Sequence, residues 1–361
     1  MIVTTTLLLA CAAPALPQDR LTLLSGERIG GAVQSATLEE VQYQDGAGQT
    51  QTLEGRQILS IEFGRLPALI AQAEKYLADQ DYQNAVNTFD GAVAAGQGPP
   101  WAATYAALGK AKALLAWAQV DPGRASEAAT AFQNWVATHP DHFHVLEART
   151  GLAQALALSG KVDEAARNLE ELATFAFNKN LSKHVEFTAQ VDRCEVYLIG
   201  KQAQVAETRL RDLIPQLQGA IGNRETPMGV RGLLRSLLSR SQILLGDALE
   251  GRQGSAAVRP YWESLLKDPT VSPDVRAAAS LGLALAARAA GKAREAQLLM
   301  ARVVATLPAN SPVLPRALYY LGELSQELKN VPVDGRIYFE RVIQDYPSST
   351  WAQQAREKLG Q

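Results

Sequence analysis

Three of the chain's four histidines and a carboxylate fall within six residues, His139-Pro140-Asp141-His142-Phe143-His144. Imidazole and carboxylate donors at that density are what Zn or Cu sites use, and an enzyme built on residues 139–144 would need such a metal. The same residues also make an ordinary polar turn, because Pro140 stops a helix and Asp141 suits the cap of the next one. The turn is the expected reading, with no metal. Three Gly-Lys dipeptides, Gly160-Lys161, Gly200-Lys201 and Gly291-Lys292, bring phosphate loops to mind. The last has Ala286 five residues before its glycine and Ala293 after its lysine, where a phosphate loop needs Gly and Ser or Thr. These dipeptides read as turns between helices. No serine sits in G-x-S-x-G, and neither H-E-x-x-H nor a dinucleotide G-x-G-x-x-G occurs. Neighbouring acids such as Glu170-Glu171 diverge on a helix and form no acid/base pair. No catalytic residue and no cofactor is expected.

Composition narrows the field further. Thirty-five basic against 37 acidic residues give a net charge of −2, which argues against a chain that neutralises rows of phosphates, so no nucleic-acid partner is expected. Hydrophobic residues make up 47% and aromatic residues only 6%, and alanine is abundant, so helices should dominate. Two cysteines exclude a disulfide framework, and Cys194, the one in the body of the chain, reads as a core residue. Ile2 to Ala13 is an apolar stretch of signal-peptide length, with Ala13-Pro14-Ala15 as a small-x-small cleavage pattern that makes residues 1–15 an export signal. Leu8-Leu9-Ala10-Cys11 also resembles the lipobox of bacterial lipoproteins. That resemblance implies a lipoprotein signal ending at residue 10, acylation of Cys11, and membrane contact only through that lipid anchor.

Residues 19–63 change character. Arg20–Leu24, Arg28–Val33, Glu40–Gln44, Thr50–Leu53 and Ile58–Phe63 are short runs of β-formers, separated by turn residues such as Ser25-Gly26 and Asp45-Gly46. Five strands in so short a span suit a small, strongly bent barrel, with Gly30-Gly31 as the bend. The spacing Leu21-x-Leu23-x-x-Gly26-x-x-x-Gly30-x-x-Val33 resembles the first half of an Sm-like or SH3-like barrel, and implies a docking module.

From residue 66 to 361 a period near 40 governs the chain. Its clearest units are Leu152-Ala153-x2-Leu156-x8-Ala165-x3-Leu169 and Leu283-Ala284-x2-Ala287-x8-Ala296-x3-Met300, with Ala73-x2-Tyr76-x8-Ala85-x3-Phe89 and Cys194-x2-Tyr197-x8-Ala206-x3-Leu210 in the same spacing. Small residues let two antiparallel helices approach, and a large one fills the gap beside them. This signature resembles the tetratricopeptide repeat (TPR). Partial units at Ala128-x3-Phe132, Ala257-x3-Tyr261 and Gly335-x3-Phe339 bring the expected fold to a mainly α, TPR-like α-solenoid of about seven helix pairs, preceded by the five-stranded β barrel-like module. Ser348-Ser349-Thr350 should start a last, capping helix. The run from Tyr338 to Pro347, followed by that helix, is similar to TPR proteins of the bacterial envelope.

The TPR resemblance places a binding groove on the first helices of the pairs. The residue after each close-contact position points into it, giving the column Glu74, Trp117, Gln154, Glu195, Gly246, Leu285 and Glu323. It lacks the Lys and Asn of the family's carboxylate clamp, so it implies an extended basic or polar peptide rather than a free acidic C-terminus. Aromatic faces at Trp101, Trp117 and Tyr319 would favour stacking on a polysaccharide or peptidoglycan strand, and polar ladders would favour peptide. The expectation is a non-enzymatic scaffold or adaptor of the periplasm or outer membrane, with Glu74, Gln154, Glu195, Tyr319 and Glu323 as groove residues and other envelope proteins or extended peptides as partners.

Overall fold

The computed structural model describes residues 19–96, 98–328 and 334–360. The segment carrying the export signal and Cys11 lies outside them. Five strands come first: β1 (Asp19–Leu23), β2 (Arg28–Ala36), β3 (Glu40–Gln44), β4 (Thr50–Glu54) and β5 (Ile58–Glu62), in the antiparallel order β4-β3-β2-β1-β5. The long β2 serves two partners, giving Arg28–Gly31 to β1 and Ala32–Ala36 to β3. A register shift between Val33 and Ser35 bends it, the ordinary effect of an extra residue in one strand of an antiparallel pair. Gly31 is needed for room, since a β-carbon there would run into the ring of Tyr43 and the carbonyl of Gln44. The expected Gly30-Gly31 bend is thus a close approach followed by a bulge. In the β3–β4 turn the left-handed residue is Gly48 rather than Gly46, with Asp45 accepting from the N–H groups of Ala47 and Gln49.

Among the described residues fifteen α-helices follow. They pair as α1 (Ala68–Ala78) with α2 (Tyr82–Ala95), α3 (Ala102–Val120) with α4 (Ala125–Thr138), α5 (Val145–Leu158) with α6 (Val162–Asn178), and α7 (Lys183–Ile199) with α8 (Ala203–Gly222). Next come α9 (Met228–Gln253) with α10 (Ser255–Lys267), α11 (Pro273–Ala289) with α12 (Ala293–Thr306), α13 (Leu314–Glu327) with α14 (Gly335–Asp345), and the terminal α15 (Thr350–Leu359). No helix among the described residues is long and apolar enough to cross a membrane.

Local spacing explains the hairpins. In α6, Ala165, Ala166, Leu169, Leu172 and Ala176 recur every three or four residues on one buried face, and Asp163 and Glu164 sit in the first turn, where acids favour the helix dipole. Asp81, Ser272 and Ser349 cap α2, α11 and α15 by accepting from main-chain N–H groups. The turns need a left-handed residue, supplied by Gly160 and Gly291 but by Lys201, not Gly200, in the α7–α8 turn.

Each second helix inserts one large side chain between the helices beside it: Phe89, Phe132, Leu169, Leu210, Trp262, Met300 and Phe339, all at most 2% exposed. Burying a side chain of this size is worth roughly 1.5–3 kcal/mol. The fifth unit departs from the expected register. Val258 and Trp262 are buried where the repeat spacing points to Ala257 and Tyr261, a shift of one residue. Gly246 on α9 and Gly282 on α11 both face the Trp262 indole, and together they make a slot that the larger ring fills.

Consecutive first helices pack on one another, α1 on α3, α3 on α5, α5 on α7, α7 on α9 and α9 on α11, while consecutive second helices make no comparable contact. The first helices therefore line the inside of the curve.

The β module is docked on this solenoid. Phe63, just after β5, stacks on Trp101 with ring centroids 3.7 Å apart, and Tyr105 meets it edge-on. The end of β2 is joined by the histidine-rich segment: Thr37 bridges His142, Leu38 N–H donates to the Asp141 carbonyl at 2.9 Å, and Phe143 N–H donates to the Ala36 carbonyl at 3.1 Å. A third tie runs from Gly229 N–H at the start of α9 to the Leu24 carbonyl, 3.1 Å. Asp141 does not cap α5, because the helix starts at Val145 with His144 in the capping position, three residues further on, and the Asp141 carboxylate faces Lys179.

Candidate functional site

Three adjoining cavities run along the inner face, of about 480, 770 and 190 Å³. Thr150 of α5 lines all three. Lys112 and Glu147 are shared by the first and second, and Gln119, Gln154 and Ser348 by the second and third. They form one channel. Its first part lies between β5 and the start of α5 and α7, and its far wall is the α14–α15 turn, Asp345–Ser349, facing α3 and α5. The chain curves far enough to bring its two ends to the same cavity.

The charged groups of the inner face are paired across units. Tyr105 donates to Glu74 at 3.0 Å, joining α3 to α1, and Lys112 meets Glu147 at 2.8 Å, joining α3 to α5. Arg240 of α9 binds both Asp192, at 2.5 Å, and Glu195 of α7. Arg316 of α13 binds Asp247 and Glu250 of α9, the latter at 3.0 Å, and Arg288 of α11 binds Glu323, at 2.8 Å, and Glu327 of α13. Lys358 of α15 closes the series on Glu323 at 2.7 Å.

Burial pushes the Asp192 carboxyl above its ordinary range, in spite of Arg240. Burial acts the same way on Glu323, but hydrogen bonds from Lys358 and Arg288 outweigh it and hold that carboxyl below the usual value. Arg316 loses hydration, yet Asp247 and Glu250 hold it more firmly protonated than a free guanidinium.

The column of groove residues read from sequence is therefore divided. Gln154 is exposed in the channel, and Glu74, Glu195 and Glu323 lie on the inner face but are engaged by Tyr105, Arg240, and Arg288 with Lys358. Gly246 and Leu285 are buried between helices and present nothing to the groove. The three aromatic faces are also occupied. Trp101 and Tyr319 are each 6% exposed, and the Arg124 guanidinium covers Trp117 at 4.1 Å from the ring centroid. What the channel offers instead is amide and hydroxyl: Gln80, Gln119, Thr150, Gln154, Ser348 and Gln353 have side chains with no hydrogen-bond partner among the described residues. Sequence reasoning missed most of these, because Gln and Ser carry no motif, and the α14–α15 turn reaches the channel only through superhelical curvature.

The histidines serve the dock. His139 Nδ1 faces the Trp135 carbonyl, His142 Nδ1 accepts the His144 N–H, and His144 Nδ1 faces Glu147 Oε2, each at 3.2 Å. Burial, together with the neighbouring imidazoles, pushes His142 down to about 4, and burial does the same to His184 at the start of α7. Among the described residues no three His, Cys, Asp or Glu side chains are grouped to hold a metal ion. A separate cavity of about 440 Å³ lies on the outer side between α6, α7 and α8 and reaches Cys194, whose thiol burial pushes up to about 12.

Residues 316–349, which span α13, α14 and the turn before α15, match the family model described as tetratricopeptide repeat. No curated protein matches the chain. Among solved structures, the apo form of the quorum sensor NprR from B. thuringiensis is 11% identical, with 81% of this chain and 79% of that chain covered and a TM-score of 0.45. NprR in complex with its cognate peptide NprX gives 11%, 81%, 81% and 0.46. A tetratricopeptide repeat protein from Parabacteroides merdae ATCC 43184 is 15% identical over 71% of this chain and 96% of that one, with a TM-score of 0.35. The architecture is a TPR-like α-solenoid led by a five-stranded antiparallel sheet.

Proposed function

We propose that this protein is a non-enzymatic scaffold that holds an extended peptide segment of a partner protein in its inner channel. One observation carries the reading: the charged side chains along the channel are already paired, and none of Trp101, Trp117 and Tyr319 lines it, while its amides and hydroxyls stand free. Such groups pair with the main chain of an extended peptide; they also bond sugar hydroxyls, and the half-buried rings of Tyr82 and Tyr346 line the middle cavity, so the two ligand classes are tested side by side. The test is selection from a random decapeptide display library on the full chain, with a peptidoglycan-fragment array alongside. Selected peptides should bind wild type and lose at least about tenfold in affinity with Gln154→Trp, which fills the middle of the channel. Sugars bound in place of peptides would reverse the order of the two readings.

We further propose that the chain works in the bacterial envelope, on the strength of the apolar stretch Ile2 to Ala13 and the lipobox-like Leu8-Leu9-Ala10-Cys11. Intact mass and fractionation of wild type and Cys11→Ser in a bacterial host test this. An acyl mass on Cys11, lost together with membrane association in the variant, supports a lipoprotein. A chain beginning at Leu16 supports a soluble exported protein, and an uncleaved cytoplasmic product removes the envelope reading.

A further inference from the structure

The end of the channel nearest the β module has a feature that peptide binding to a helical groove does not require. β5 is the last strand of its sheet, bonded to β1 on one side. Among the described residues no main-chain or side-chain group bonds its other edge. A bare edge is a row of N–H and C=O groups that would pair with any extended chain laid beside it. This edge borders the first cavity, because four consecutive β5 residues, Ile58 to Ile61, line it. Side chains alternate between the two faces of a strand except at a bulge, and Leu59 is skipped in the pairing of Ile58 with Leu23 and Ser60 with Thr22, so a cavity touching four in a row meets the strand along its edge at that bulge. Across the cavity stand apolar side chains of the solenoid, among them Leu146, Leu172 and Val185.

The charges around the cavity are balanced. Lys112 is paired with Glu147 at 2.8 Å and Arg56 with Glu54 at 2.9 Å. The imidazole of His184 is half-buried and held neutral at pH 7 by its loss of hydration. His144 also lines it, with Nδ1 facing Glu147 at 3.2 Å and Nε2 unpartnered, so the wall carries no unpaired formal charge and offers at most one neutral ring nitrogen, which suits an uncharged occupant.

We propose that an extended, uncharged peptide segment adds to the free edge of β5, placing alternate side chains in the cavity beside Leu146, Leu172 and Val185, and continues from there into the amide-lined channel. This rests on the peptide-binding reading above and adds its register and substrate class: β5 fixes the segment's main chain, and the pocket selects apolar or small residues two apart.

The experiment takes the full chain with a decapeptide selected from the random library and follows amide hydrogen exchange by mass spectrometry. The expected result is that exchange in residues 58–62 slows at least about tenfold on binding. Methylating the peptide nitrogen at alternate residues should weaken binding about tenfold at every second position and little in between. Thr188→Trp, which projects into the cavity from α7 and leaves the strand's own residues unchanged, should lose about tenfold in affinity. A peptide that binds and is blocked by Gln154→Trp, yet leaves residues 58–62 unprotected, would overturn the edge proposal and leave the channel reading standing. Recovery of no peptide overturns both. Protection without peptide that grows with protein concentration assigns the edge to a second copy of this chain. Protection without peptide at every dilution means the chain covers the edge itself. Either result overturns the proposal.

Discussion

Gly246 faces the indole of Trp262, leaving no space for a methyl group, and Gly282 presses on the same side chain from α11. Because Trp262 is enclosed by two helices it cannot swing aside, which fixes the register of the fifth unit.

Gly246→Ala sets two effects against each other. Alanine gains up to about 1 kcal/mol of helix propensity, while overpacking a closed site costs typically about 1–3 kcal/mol. Net destabilisation of about 1–2 kcal/mol is expected in urea unfolding. Gly219→Ala is the control: nothing lies within 4 Å of its β-carbon position, so stability should rise by roughly 0.5–1 kcal/mol.

Arg316, with 19% of its side chain exposed, binds Asp247 and Glu250 from a helix two units earlier. Arg316→Met leaves two carboxylates without their counter-charge, Glu250 keeping only the Ser255 hydroxyl, and breaking such a buried pair costs about 3–5 kcal/mol. Since Asp247 keeps 30% exposure, about 2–4 kcal/mol is the expected loss of unfolding free energy. Adding Asp247→Asn and Glu250→Gln should recover part of it. A triple variant no more stable than Arg316→Met would argue against stranded charge as the cause.

Acid should weaken the protein in a defined window. His142 and His184 titrate near 4 in the folded chain against 6.5 when free, so the unfolded state binds more protons between those values. Their contribution is fully present above about pH 6.5 and is lost as pH falls toward 4, by up to about 1.4 kcal/mol per pH unit for each imidazole. His142→Asn should flatten the pH dependence of Tm in that window. An unchanged slope would mean that His142 titrates normally.

Trp101→Ala should release the β module before it melts the solenoid. The substitution removes the ring stacked on Phe63, and large aromatic truncations cost about 3–5 kcal/mol. Limited trypsin digestion should then cut faster at the exposed Arg65, between β5 and α1, while helix content by circular dichroism stays near wild type.

The helical hairpins were legible in the sequence because their determinants are local. Small anchors such as Ala85, Ala165 and Ala296, four residues before Phe89, Leu169 and Met300, lie within one turn of one helix, and the β-formers of residues 19–63 alternate over similarly short distances. The register of the fifth unit is ambiguous by one residue in the sequence because Ala257 with Tyr261 and Val258 with Trp262 satisfy the same spacing. Gly246 and Gly282 decide between them, and they lie on other helices. Acids on the inner face were found, but their partners were not: Asp247 and Arg316 are 69 residues apart, and only the superhelical rise brings α9 beside α13. The sequence also showed that residues 139–144 could make a turn. That this turn is the seat of the β module depends on how the solenoid's curve carries His142 to Thr37, about a hundred residues earlier, and no local spacing encodes that distance.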